Sequence, residues 1–160
     1  MKKLVIIDPT LKSRIGHAYQ YNKNIVDHFL NFQCECKIYA NIKYKNYSIN
    51  DSEKIVPMFS VSPNDTSKLK ILQPIIKIFK NFFILSKELS EIMLLEDNKN
   101  AVFYIQHTDA YLLFALLNLK KLKGKIVIML RSTSHSLDKK DKPTFRSYLY
   151  KFITRKIHKK

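Results

Sequence analysis

"IIDPTLKSRIGHAYQYN", residues 6–22, decides how the chain is to be read. An apolar run ends at Asp8, a polar loop follows, and helical spacing begins just past Gly16. That is the passage from a buried strand into an amphipathic helix, the opening half of a βαβ unit. Gly16 is one of only two glycines in 160 residues, so its position demands a reason. Two stay open at this level. The turn requires a conformation that only glycine adopts, or the loop brings backbone and free helix N–H groups close to an anionic ligand.

Working outward, Lys3 to Ile7 is a bounded β-branched run of the kind buried in parallel sheets. From Gly16 to Phe32 the apolar residues Tyr21, Ile25, Val26, Phe29 and Leu30 fall at helical spacing. Cys36 to Ala40 predicts a second strand and Lys54 to Phe59 a third. The polar run Ser60 to Asp65 then marks a loop, with Asp65 or Thr66 as the next N-cap. Residues 67–96 predict a long helix, which Pro74 either kinks or divides from a short lead-in. Ala101 to Gln106 reads as a strand and Asp109 to Leu122 as a helix ending at Gly124. Lys125 to Leu130 reads as a strand, and Pro143 opens a last helix. Strands alternating with helices predict the α/β class. The expected architecture is one Rossmann-like, three-layer domain with a mostly parallel sheet over residues 1–140, and a basic amphipathic helix over 141–160. No internal repeat, low-complexity tract or interdomain linker interrupts it.

Lys and Arg number 29 against 13 Asp and Glu, a net charge of +16. Such a balance attracts phosphates, nucleic acid or an anionic bilayer and does not choose among them. High Lys, Ile and Asn content fits a compositional bias equally well. Cys34 and Cys36 stand one residue apart, which is half a metal site at best and not a redox C-x-x-C pair. They read as reduced, structural thiols of a cytoplasmic protein. Met-Lys-Lys followed by apolar residues imitates a signal peptide, but Asp8 and Pro9 cut the apolar run short. The best membrane-span candidate, Ala101 to Leu119, carries His107 and Asp109 and reads as strand, turn and helix.

In open α/β sheets ligands bind outside the carboxyl ends of the strands. Three such ends carry usable chemistry: Asp8 to His17, Gln106 to Asp109, and Leu130 to His135. The first has no G-x-G-x-x-G or G-K-[ST], which excludes a dinucleotide fingerprint and a P-loop. His107 can serve as base or ligand at a strand edge, or sit in a polar turn capped by Asp109. Arg131 ends an apolar strand, where an unpaired charge is costly, so it should meet a phosphate, a substrate carboxylate, or Asp8 or Asp109. Ser132 and Thr133 add hydroxyls suited to a sugar or phosphate. No Ser-His-Asp elbow, H-E-x-x-H or EF-hand loop appears, so hydrolase and metalloenzyme readings are weak. Two basic amphipathic segments remain, 145–157 and the part of 67–96 bearing Lys70, Lys77, Lys80 and Lys87. Each reads as an interfacial helix on an anionic membrane or as a core helix with a solvated face.

Taken in order, these motifs resemble the N-terminal, acceptor-binding domain of bacterial GT-B glycosyltransferases of family 4. "LVIIDPTLKSRIGHAYQYNKNIVDHF" is similar to that domain's opening strand, Gly-containing loop and first helix with a G-H-x-x-x-Y-N-like signature. "VFYIQHTDAYLLFALLNLKKLKGKIVIMLRSTS" is similar to its later strand–helix–strand, in the variant ending in L-R. The resemblance spans most of residues 3–135. It implies that Gly16 and His17 face an interdomain cleft near the transferred sugar, with Tyr21 alongside, and that His107 and Asp109 line the acceptor side. Arg131 stands where many relatives have a histidine, and an arginine there would stabilise phosphate charge or orient the acceptor with Ser132 and Thr133. The family's second domain, with its E-x7-E donor motif, is not found after residue 135.

The leading expectation is therefore the acceptor-binding half of a retaining, hexosyltransferase-type enzyme. It would use a nucleotide-sugar only through a second domain, act on a cell-surface polysaccharide or lipid-linked acceptor, and need no metal or organic cofactor. Its place would be the cytoplasm, peripheral to the inner face of the plasma membrane. The alternatives are a basic nucleic-acid-binding α/β protein, which lacks any RRM, KH or helix-turn-helix signature, and a non-catalytic partner subunit.

Overall fold

A computed structural model describes residues 2–45, 54–62, 73–96, 99–105, 116 and 124–129, with side chains in 73–96 described from residue 80 onward. Among the described residues, five parallel strands form one sheet in the order β3-β2-β1-β4-β5. They are β1 (Lys3–Asp8), β2 (Glu35–Asn41), β3 (Lys54–Phe59), β4 (Ala101–Ile105) and β5 (Lys125–Ile128). Helix α1 (His17–Leu30) joins β1 to β2, and α2 (Gln73–Glu96) lies between β3 and β4. The Rossmann-like three-layer reading holds, and every described strand pairing is parallel.

The period of two along each strand divides the core into two layers. Leu4 and Ile6 of β1 join Cys36, Ile38 and Ala40 of β2 under α1, where Val26 is the helix's fully inward apolar residue. Val5 and Ile7 join Tyr39, Phe103 and Ile105 under α2, which contributes Phe82, Leu85, Leu89, Ile92 and Met93. Both faces of β1 are closed, so its run is apolar throughout rather than alternating. Cys34 and Cys36 are unbridged thiols buried in the α1 layer.

Elements extend or stop close to their expected limits. β1 includes Asp8, β2 runs from Glu35 to Asn41, and β5 stops at Ile128, with Met129 N–H still donating to Ile105 O at 3.0 Å. Pro57 lies in β3, an edge strand, where its missing N–H costs no ladder bond inside the sheet. Helix α2 places Pro74 in its first turn, which a helix tolerates because that N–H has no intrahelical partner. The expected N-caps Asp65 and Thr66 lie outside the described residues, as do residues 67–72, most of 109–122 and all of 141–160. Leu116 is buried in the α2 layer.

One expectation is corrected in part. Val26 is buried and Ile25 and Phe29 pack against the α1 layer, but Tyr21 and Leu30 are 38% and 39% exposed, and Ala18 and Asn22 continue the inward row of Val26 at i, i+4 and i+8. Gly124, expected as a helix C-cap, follows a segment that lies mostly outside the described residues, and what the structure shows at this position is crowding. A Cβ there would lie 2.8 Å from both Ala101 O and the Phe103 ring.

Candidate functional site at the carboxyl edge of β1

The strand order reverses at β1, with β2 on one side and β4 on the other. Such a reversal opens a crevice outside the carboxyl ends of the strands, and the loop after Asp8 borders it. Asp8 is fully buried at the last position of β1. Its Oδ1 accepts from Thr10 N–H at 3.0 Å and from the Thr10 hydroxyl at 2.6 Å. Its Oδ2 accepts from Asn22 Nδ2 at 2.8 Å. The carboxylate thus sets the turn after the strand and fixes the height of α1 on the sheet. It acts as an internal brace, and burial denies it contact with a substrate.

The loop is also stitched sideways. Asn41 at the end of β2 donates its N–H to Leu11 O at 3.1 Å and its side-chain amide to Pro9 O at 3.2 Å. Lys45 N–H donates to Lys12 O at 3.3 Å, and Ser13 and Lys45 form a parallel bridge. Leu11 plugs into the α1 layer. These bonds prolong the β1–β2 pairing past the sheet and make a fixed rim of residues 11–13.

Past that rim the chain turns into the helix. Ser13 Oγ accepts from Ile15 N–H at 3.3 Å, and the Arg14 guanidinium lies 5.7 Å from the centre of the Tyr19 ring. Gly16 is the N-cap of α1 with φ 107° and ψ 173°, a region essentially closed to residues with a Cβ. A Cβ built there meets nothing within 4 Å, so glycine is needed for its backbone angles and not for close packing. That the turn imposes these angles was beyond the reach of the sequence. Gly16 has no side chain with which to cap the helix, and the first turn of α1 holds no acidic residue. The start of a helix with such a cap is a place where an anion or a hydroxyl-bearing ligand can bind. Ile15 is 87% exposed, and Gly16 and His17 are exposed beside it. Tyr21 is exposed one turn along the helix.

Of the expected site residues, Gly16, His17 and Tyr21 therefore gather at one accessible helix start. His107, Asp109, Arg131, Ser132 and Thr133 lie outside the described residues. The ends of β4 at Ile105 and β5 at Ile128 share the carboxyl edge with Asp8. Sequence reading missed Asn22 and Asn41, the two amides that hold the loop. The i, i+4, i+8 row Ala18–Asn22–Val26 carried the signal for the first, since it continues the buried face of α1. Among the described residues no group of three His, Cys, Asp or Glu side chains is placed to hold a metal.

The opposite edge carries the strongest electrostatics. Glu96, the last residue of α2, is buried against the amino ends of β1 and β2. Its carboxylate pairs with the Lys3 ammonium, and its Oε1 accepts from Lys37 Nζ and from Tyr39 OH, each at 2.5 Å. Glu35 adds a contact to Lys3 at 3.3 Å. Burial by itself would raise the Glu96 pKa, but the bonds from Lys3, Lys37 and Tyr39 outweigh it and hold the group at about 2. Burial and the facing Glu96 push the Tyr39 phenol up. This cluster is far along the strands from Gly16 and serves to anchor α2.

Comparison of the chain with protein-family models, curated proteins and solved structures returns no match. The class established is thus a Rossmann-like α/β protein with a candidate ligand site at the β1–α1 loop.

Proposed function

We propose that the chain is the acceptor-binding half of a glycosyltransferase, working with a second, nucleotide-sugar-binding domain. The acceptor would be a cell-surface polysaccharide or a lipid-linked glycan at the cytoplasmic face of the plasma membrane. The observation that carries this reading is the stretch Ile15–Gly16–His17 at the carboxyl end of β1. It is held on a hydrogen-bonded rim and exposed, at a helix start whose N-cap residue has no side chain, as a loop facing a sugar and its phosphate should be. The motif resemblance supplies the activity, and the fold is compatible with it. In this reading His17 and the first-turn N–H groups bind sugar hydroxyls or phosphate, while His107 and Arg131 act at the neighbouring strand ends as base and charge stabiliser.

The test is sugar transfer from a panel of labelled nucleotide-sugars to membrane-extracted lipid acceptors. The chain is assayed with and without a donor half carrying E-x7-E from the neighbouring coding sequence. Transfer only in the mixture, cut by about 100-fold or more in Arg131→Ala or His107→Ala, supports the reading. Transfer that survives both substitutions and His17→Ala removes the site assignment. A steeply salt-dependent affinity for single- or double-stranded nucleic acid, with no transfer in the mixture, replaces the reading altogether.

A further inference from the structure

Helix α2 turns Glu88 and Glu96 toward the body of the protein and sends basic and large apolar side chains outward. Glu96 is enclosed by Lys3 and Lys37, and Glu88 Oε1 accepts from Ser60 N–H at 3.0 Å and from its hydroxyl at 2.5 Å. On the far side of the helix Phe83 is 66% exposed, Leu94 80% and Leu95 71%, and Lys80 and Lys87 are exposed among them. Positions 80, 83, 87 and 94 recur every three, four and seven residues, so they share one stripe about 20 Å long. Glu91 is the one described acid on that stripe, and its carboxylate lies 4.0 Å from Lys87. Inward residues Phe82, Leu85, Leu89 and Ile92 already satisfy the core, so it does not explain the outward ones.

We propose that this outward stripe of α2 docks the protein on an anionic bilayer. The phenyl and leucyl groups would enter the headgroup–acyl boundary while Lys80 and Lys87 meet lipid phosphates. Charge selects this occupant over a second copy of the chain. A helix–helix seam along the stripe would bury Lys80 and Lys87 between Phe83 and Leu94 against their own images, whereas a headgroup layer receives both ammonium groups and lets their stems lie along the apolar surface. The mode is peripheral, since no described helix is long and apolar enough to cross a membrane.

The chain has no tryptophan, which makes a single introduced indole a clean reporter. The emission of Leu94→Trp should shift to the blue on mixing with phosphatidylcholine vesicles that contain phosphatidylglycerol, and not with phosphatidylcholine alone. Phe32→Trp, just past the end of α1, should not shift with either. In flotation of the full chain, Phe83→Ser/Leu94→Ser/Leu95→Ser and Lys80→Glu/Lys87→Glu should each weaken binding by about tenfold or more. Lys54→Glu/Lys125→Glu changes the same charge at the amino edge of the sheet and should keep most of it. Three results overturn the inference: no blue shift in Leu94→Trp, equal losses in the Lys54/Lys125 variant, or a dimer that the serine variant dissolves without any change in vesicle binding. None of these readouts involves sugar transfer, so their failure leaves the acceptor reading standing, and the reverse also holds.

Discussion

At the carboxyl edge of the sheet Asp8 is braced by the neutral groups of Thr10 and Asn22, whereas at the amino edge Glu96 is enclosed by two ammonium groups and a phenol. Both carboxylates are buried, and both tie a helix to the sheet. The amino edge spends its charges on one another and becomes an anchor. At the carboxyl edge the fixed carboxylate accepts from uncharged donors, the N-cap of α1 is a glycine, and Ile15, Gly16 and His17 are exposed at the helix start. A rigid support beneath an accessible helix start is the arrangement a binding site needs.

The largest effect belongs to Glu96→Ala. Lys37 would lose Glu96 and Lys3 would keep only Glu35, with both ammonium groups largely withdrawn from water, a loss of about 3 kcal/mol in urea unfolding. Acid should weaken the same edge without mutation. The folded-state pKa of Glu96 is depressed from 4.5 to about 2. Its contribution, up to about 3 kcal/mol, is therefore complete above the unfolded value and lost as pH falls from about 5 to 2. Unfolding free energies of the parent and of Glu96→Gln, measured across that window, should converge at the acid end. If they stay parallel, the cluster is not the source of the pH dependence.

Asn22→Ala tests the other edge. It removes a donor from the buried Asp8 carboxylate and should cost about 2 kcal/mol in urea unfolding. A loss within about 0.5 kcal/mol would remove the brace from the account of this edge. The smallest effects belong to the exposed helix start. Gly16→Ala places a Cβ in the disfavoured φ region and should cost about 1–2 kcal/mol, whereas His17→Ala should lie within about 0.5 kcal/mol. Both should nonetheless weaken acceptor binding. A thermal shift series on the two variants separates strain from function, since only Gly16→Ala should lower the melting temperature.

Periodicity carried much of the architecture. The period of two in the apolar strands and the 3.6-residue period after Gly16 and before Glu96 are local properties, and they placed five strands and two helices within a few residues. The loop after Asp8 was legible as a candidate site because it joins the two periods. Its brace was not legible, since Asn22 and Asn41 are polar residues in positions a simple apolar count ignores. Their partners, Asp8 and Pro9, lie 14 and 32 residues away in sequence. Glu96 and Lys37, 59 residues apart, were invisible as a pair for the same reason.

What the sequence determined by itself is therefore the class: where the chain is strand or helix, that both faces of β1 are covered, and that a scarce glycine starts α1. Tertiary structure alone decided why that glycine is there. Its angles, φ 107° and ψ 173°, are set by a loop pinned at Asp8, Asn22 and Asn41, and open space surrounds the missing Cβ. Tertiary structure also decided that Gly124 is a matter of room and that α2 presents Phe83 and Leu94 to the outside. Helical and strand periods report local geometry, whereas these choices depend on which distant segments share an edge or a face.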